Sequence, residues 1–82
     1  MSDKFLRAVN EITKAEHGKV VSLNNALIEA QLDSFSWLVF WLELDKVYPN
    51  VFTDEFINEI DYKKTKFKDL AQMVKDDKNI KE

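Results

Sequence analysis

The chain has 82 residues, 12 basic and 15 acidic side chains, a net charge of −3, one histidine and no cysteine. This length holds one small domain with a thin core. Without cysteine there is no disulfide, thiolate nucleophile or cysteine metal site, and one histidine excludes a histidine-rich zinc site.

A hydrophobic fraction of 45% separates the chain from disordered sequences. Small secreted domains are more often stapled by disulfides, so the cytoplasm is the expected location. The start, MSDKFLRAVNEITK, has the pattern of an amphipathic helix and not of a signal peptide. The apolar run Trp37 to Leu42 is too short to span a membrane. Charge is segregated: residues 1–28 sum to +1, residues 29–61 to −7 and residues 62–82 to +3. The acidic middle favours basic partners and disfavours nucleic acid. Each block also has the bland reading of a solvated face.

A first helix is expected from a cap at Ser2, with Phe5, Leu6, Val9 and Ile12 at helical spacing beside Ala8 and Ala15. Gly18 is read as its left-handed stop, which makes His17 a last-turn residue. No partner group near His17 argues for a catalytic role. Lys19 to Asp33 is a long connection. Its Val20, Val21, Leu23, Leu27, Ile28 and Leu32 predict packing onto the body, with a turn at Asn24-Asn25 and a short helical piece over Ala26 to Ala30. Connections of this length are often functional.

The second helix is expected from Asp33 or Ser34 to about Val47, ended by Tyr48-Pro49-Asn50 because the residue before proline avoids helical backbone. Thr53 caps a short third helix carrying Asp54 and Glu55 in its first turn. Thr65 caps a fourth, with Phe67, Leu70, Met73 and Val74 as its stripe, and the tail over residues 76–82 is expected to fray. The lysines of the preceding connection, Lys63, Lys64, Lys66 and Lys68, are read as solvated. The prediction is a single all-α domain: a small four-helix bundle with three main helices, a short third helix and a long first loop.

At about 100° per residue, the second helix has two apolar arcs. Trp37, Phe40, Trp41, Leu44, Val47 and Tyr48 form one, which is read as core. Phe35, Leu38, Val39 and Leu42 form the other, beside Asp45 and Lys46. A helix apolar all round belongs inside a large protein, and this chain is too small for that. The second arc is therefore expected to be at least partly exposed as a binding surface, unless Leu27, Ile28 and Leu32 fold over it.

Ser34 stands at the head of this helix. It lacks a G-x-S-x-G elbow and a nearby histidine, so it is no catalytic nucleophile. Two readings remain: a plain N-cap, or an attachment point for an anionic group at a helix start.

Leu32-Asp33-Ser34-Phe35, opening an apolar helix, resembles the D-S-L signature of the acyl and peptidyl carrier proteins. The likeness covers most of the chain. It takes in the first helix, the long connection, Glu43 and Asp45, the Tyr-Pro break, the short helix after Thr53 and the lead-in Thr65-Lys66-Phe67-Lys68-Asp69-Leu70. It implies a non-catalytic acyl carrier protein with 4′-phosphopantetheine esterified to Ser34 and flanked by Asp33. The arm would carry acyl or aminoacyl groups as thioesters. A phosphopantetheinyl transferase would install it, and loading and cargo-processing enzymes would be the partners. Phe35, Leu38, Val39, Leu42 and Asp45 would form the partner surface, and the core arc with the third helix would wall a pocket for cargo. The chain would be a monomer or weak dimer with no metal.

Gln31 stands where a glycine often precedes the signature, Phe35 replaces the usual leucine, Val39 replaces a frequent glutamate and Lys46 a frequent acid. The acidic stripe is thinner and the apolar component larger, which favours a specialised pathway with a dedicated partner. The alternative is an unmodified helical interaction module that docks a partner on the apolar face of the second helix.

Overall fold

The computed structural model describes the backbone of residues 2–81 and the side chains of residues 3–76. Four α-helices follow in chain order: α1 (Ser2–Ala15), α2 (Ser34–Val47), α3 (Asp54–Glu59) and α4 (Phe67–Lys81). A 3₁₀ turn, Leu27–Ala30, lies in the connection between α1 and α2. Among the described residues there is no strand, only an isolated bridge between Ala26 and Lys66. The chain is a small helical bundle, as its periodicity predicts. Ser2 already has helical backbone. Its side chain, and with it the expected cap, lies outside the described residues. So do the side chains of residues 77–82, where fraying is expected.

One core joins the helices. Phe5 and Val9 of α1 meet Phe40, Trp41 and Leu44 of α2, Phe67, Leu70 and Val74 of α4, and Phe52 from the α2–α3 turn. Each such side chain stabilises the fold by about 1.5–3 kcal/mol when fully buried. Val47, assigned to the core arc by its angle, is 47% exposed. It lies on the last turn, rotated about 60° from Leu44, at the arc's edge.

The end of α1 overturns the role expected of Gly18. The left-handed residue is His17, at φ 62°. Its N–H donates to the Lys14 carbonyl at 3.2 Å, and the Gly18 N–H donates to the Thr13 carbonyl at 2.7 Å. These are the two bonds of a Schellman cap, shifted one residue earlier than the glycine suggests. Gly18 is needed for space: a Cβ there would stand 2.5 Å from Leu32 Cδ2 and 2.7 Å from the Ala30 carbonyl oxygen. Left-handed backbone costs an L-residue about 1–2 kcal/mol, and a glycine loses part of that advantage to its freer unfolded chain. His17→Gly is therefore expected to raise stability by about 0.5–1 kcal/mol, read as a higher urea midpoint with an unchanged slope.

The long connection is stitched down at both ends. The Asn10 side chain grips Val21, accepting from its N–H at 2.9 Å and donating to its carbonyl at 3.0 Å. The Lys19 N–H donates to the Ala30 carbonyl at 2.8 Å, closing the loop on itself. On the other side Leu27 N–H donates to Thr65, Ile28 N–H to Tyr62, Phe67 N–H to Asn25 and Lys68 N–H to Leu23. Val21 and Leu27 are buried as expected, whereas Val20 and Ile28 point outward at 70% and 47% exposure. Their neighbours in sequence take the inward positions, so these two cannot.

Thr53 caps α3 as predicted, accepting from the Phe56 N–H at 3.2 Å. Thr65 does not cap α4. The helix starts at Phe67, and Asp69 reaches back to accept from the Lys66 N–H at 2.9 Å. The Thr65 carbonyl instead serves the long connection through Leu27.

Candidate functional site

The chain reaches the head of α2 through three fixed points. Gln31 is left-handed at φ 57° and turns the chain out of the 3₁₀ turn. Leu32 then packs against the core, as does Trp37 five residues on. These are the two positions of a hydrophobic staple, which fixes the angle at which a chain enters a helix. Asp33 follows in extended backbone and is the N-cap, its carboxylate accepting from the Ser36 N–H at 2.8 Å.

This decides one of the two readings of Ser34. The cap is Asp33, and Ser34 is the first helical residue, exposed to solvent. Its hydroxyl has no capping duty. The spacing that reveals this is Asp-x-x-Ser: Ser36, buried at the third helical position, supplies the N–H that Asp33 needs.

The Asp33 carboxyl is held below the usual carboxylate range. The Ser36 N–H is the main cause and the Ser36 hydroxyl the second; desolvation opposes them, and the Phe35 N–H adds a lesser pull downward. A depressed folded pKa means that the cap's contribution is present above the unfolded carboxyl pKa and lost as pH falls through the folded one. Asp33→Ala is expected to lower Tm by about 5 °C at pH 7. The gap to the parent should close as pH drops below about 4, as thermal melts across pH would show.

Below Ser34 the outer face of α2 is apolar. Phe35, Leu38 and Leu42 are 70%, 61% and 66% exposed, so the long connection does not cover them. They span about 10 Å along one side of the helix. Val39 is half-buried at the edge of this stripe, and Asp45 is exposed at its far end, accepting weakly from the Asn50 N–H at 3.4 Å. Lys46 pairs with Glu43 at 3.0 Å on the surface, which removes one more free acid from this face. An exposed pair of this kind adds little stability.

The inner face is aromatic. Trp41 is buried, and its indole N–H donates to the Tyr62 hydroxyl at 3.1 Å. Trp37 is partly buried, stacked 5.8 Å from Trp41 and edge-on to Phe40 at 4.9 Å. Both tryptophans therefore belong to the core. The cargo pocket expected between this arc and the third helix meets interlocked rings. Beside α3 lies an open depression of about 400 Å³, lined by Glu55, Phe56, Glu59, Ile60, Asp61 and Thr65. Among the described residues no group of three or more carboxylates or histidines is placed to hold a metal ion, and no helix is long and apolar enough to cross a membrane.

No protein-family model, no curated protein and no solved structure matches this chain.

Proposed function

We propose that this chain is a carrier protein, modified with 4′-phosphopantetheine on Ser34, that delivers acyl or aminoacyl cargo to the enzymes of a specialised biosynthetic pathway. The observation that carries the reading is Ser34 itself: an exposed hydroxyl on the first residue of α2, released from capping by Asp33 and set directly above an uncovered apolar stripe. A second support is Gln31. Carrier proteins often have glycine at this position, and here the backbone is left-handed, as glycine favours.

The site suits the group. The first turn of α2 offers backbone N–H donors and the positive end of the helix dipole to a phosphodiester. The Asp33 carboxylate is turned onto Ser36, which limits its repulsion of that phosphate. Once attached, the group supplies a thiol for thioester exchange. The chain's own step is the displacement in which Ser34 Oγ bonds to the pantetheine-side phosphorus of coenzyme A. Adenosine 3′,5′-bisphosphate leaves, and the hydroxyl proton passes to a base of the transferase. Phe35, Leu38 and Leu42, with Val39 and Asp45 at the margin, are the surface a partner enzyme covers.

Labelling with a fluorescent coenzyme A analogue and a promiscuous transferase tests this assignment. The parent and Ser36→Ala should take up the label, and Ser34→Ala should not. The exposed stripe also favours the simpler reading of an unmodified docking module. That reading gains if no transferase labels Ser34 while a partner still binds the parent and Ser34→Ala alike.

A further inference from the structure

Resting on the carrier reading, we infer that cargo attached through Ser34 stays outside the helical bundle, which fits the site to short, polar or aminoacyl groups and not to long alkyl chains. The space under α2 is taken by a continuous run of rings. Tyr62 sits 4.8 Å from Trp37, Trp37 4.9 Å from Phe40, Phe40 5.0 Å from Trp41 and Trp41 5.6 Å from Phe52, centroid to centroid. Three of these four contacts are edge-on, one of the two geometries that aromatic pairs prefer. Phe67 closes the far side against Phe40 at 6.5 Å. An alkyl chain entering here must swing a ring out of a close-packed interior, and interiors resist even one extra methylene. Trp41, which meets Phe56 of α3 at 6.3 Å, is also tied by its hydrogen bond to Tyr62, a contact that bridges α2 to the connection before α4.

The depression beside α3 is no better for an alkyl chain. Glu55, Glu59 and Asp61 stand around it, all exposed. Phe56 and Ile60 give it an apolar floor, but a long alkyl chain laid across that floor would also strip water from the carboxylates without replacing it. Short or polar cargo needs neither place, since it remains solvated on its arm until a partner takes it.

The test loads the full chain from acetyl-, aminoacyl- and dodecanoyl-coenzyme A with a promiscuous transferase. Intact mass confirms one group per chain before anything else is read. Thermal melts and the methyl NMR signals of Leu44 and Leu70 then report on the core. All three loaded forms are expected to melt within about 1 °C of one another, with core methyl signals unmoved. A Tm that climbs by several degrees with chain length, together with shifted Leu44 and Leu70 methyls, would overturn the inference and leave the carrier reading standing. Absence of any mass gain with this enzyme and with the transferases of the protein's own host would remove the carrier reading, and the inference with it.

Discussion

Gly18→Ala will lower stability by about 2 kcal/mol and slow the transferase labelling proposed for Ser34, although the two residues are far apart in sequence. The added methyl would sit 2.7 Å from the Ala30 carbonyl oxygen and 2.5 Å from Leu32 Cδ2. Leu32 can rotate at some expense, but the carbonyl belongs to backbone already bonded to the Lys19 N–H at 2.8 Å. Relief therefore means moving the segment Ala30 to Leu32 and stretching that bond, worth about 1 kcal/mol. The stiffer unfolded chain of the alanine variant returns a few tenths of that. Because Leu32 leads into Asp33 and Ser34, the displacement reaches the site. Urea melts measure the first effect, and the labelling rate of fully folded protein measures the second. Unchanged stability would mean that Gly18 is not a packing glycine.

Trp41→Ala is expected to remove about 3–5 kcal/mol. The indole is buried, touches Trp37, Phe40, Phe52 and Phe56, and satisfies the Tyr62 hydroxyl. A domain of this length has about 4–12 kcal/mol in total, so the variant will be close to its threshold even at room temperature. Trp41→Phe keeps a six-membered ring but leaves a small cavity and loses the hydrogen bond, for about 1–2 kcal/mol. Circular dichroism melts of the two variants separate packing from bonding. Equal losses would place the energy in the hydrogen bond and not in the ring cluster.

Much of this architecture is legible in the residues because its signals are local. The apolar spacing of Phe5, Val9, Phe67, Leu70 and Val74 predicts the faces that are buried, and the Tyr-Pro-Asn break ends α2 where expected. The uncovered stripe of Phe35, Leu38 and Leu42 follows from having two apolar arcs on a helix that a small protein can bury on only one side.

What the residues conceal is long-range. Gly18 has the look of a helix stop, and only the crossing of Leu32 and Ala30 shows that it clears space while His17 takes the left-handed turn. Thr65 is a good cap by composition, but its carbonyl is drawn to Leu27, and Asp69 serves the helix start instead. At the site, Asp33 and Ser34 compete for one capping position. The contest is settled by whichever side chain reaches the Ser36 N–H, which neither residue type decides alone.

The measurement closest to the central claim is the intact mass of this protein after co-expression with a phosphopantetheinyl transferase, beside Ser34→Ala prepared in the same way. The parent should gain the mass of one phosphopantetheine, mapped by peptide fragmentation to Ser34, and the variant should gain nothing while melting at nearly the same temperature. A parent of unmodified mass with every transferase tried, including those of its own host, would contradict the carrier reading.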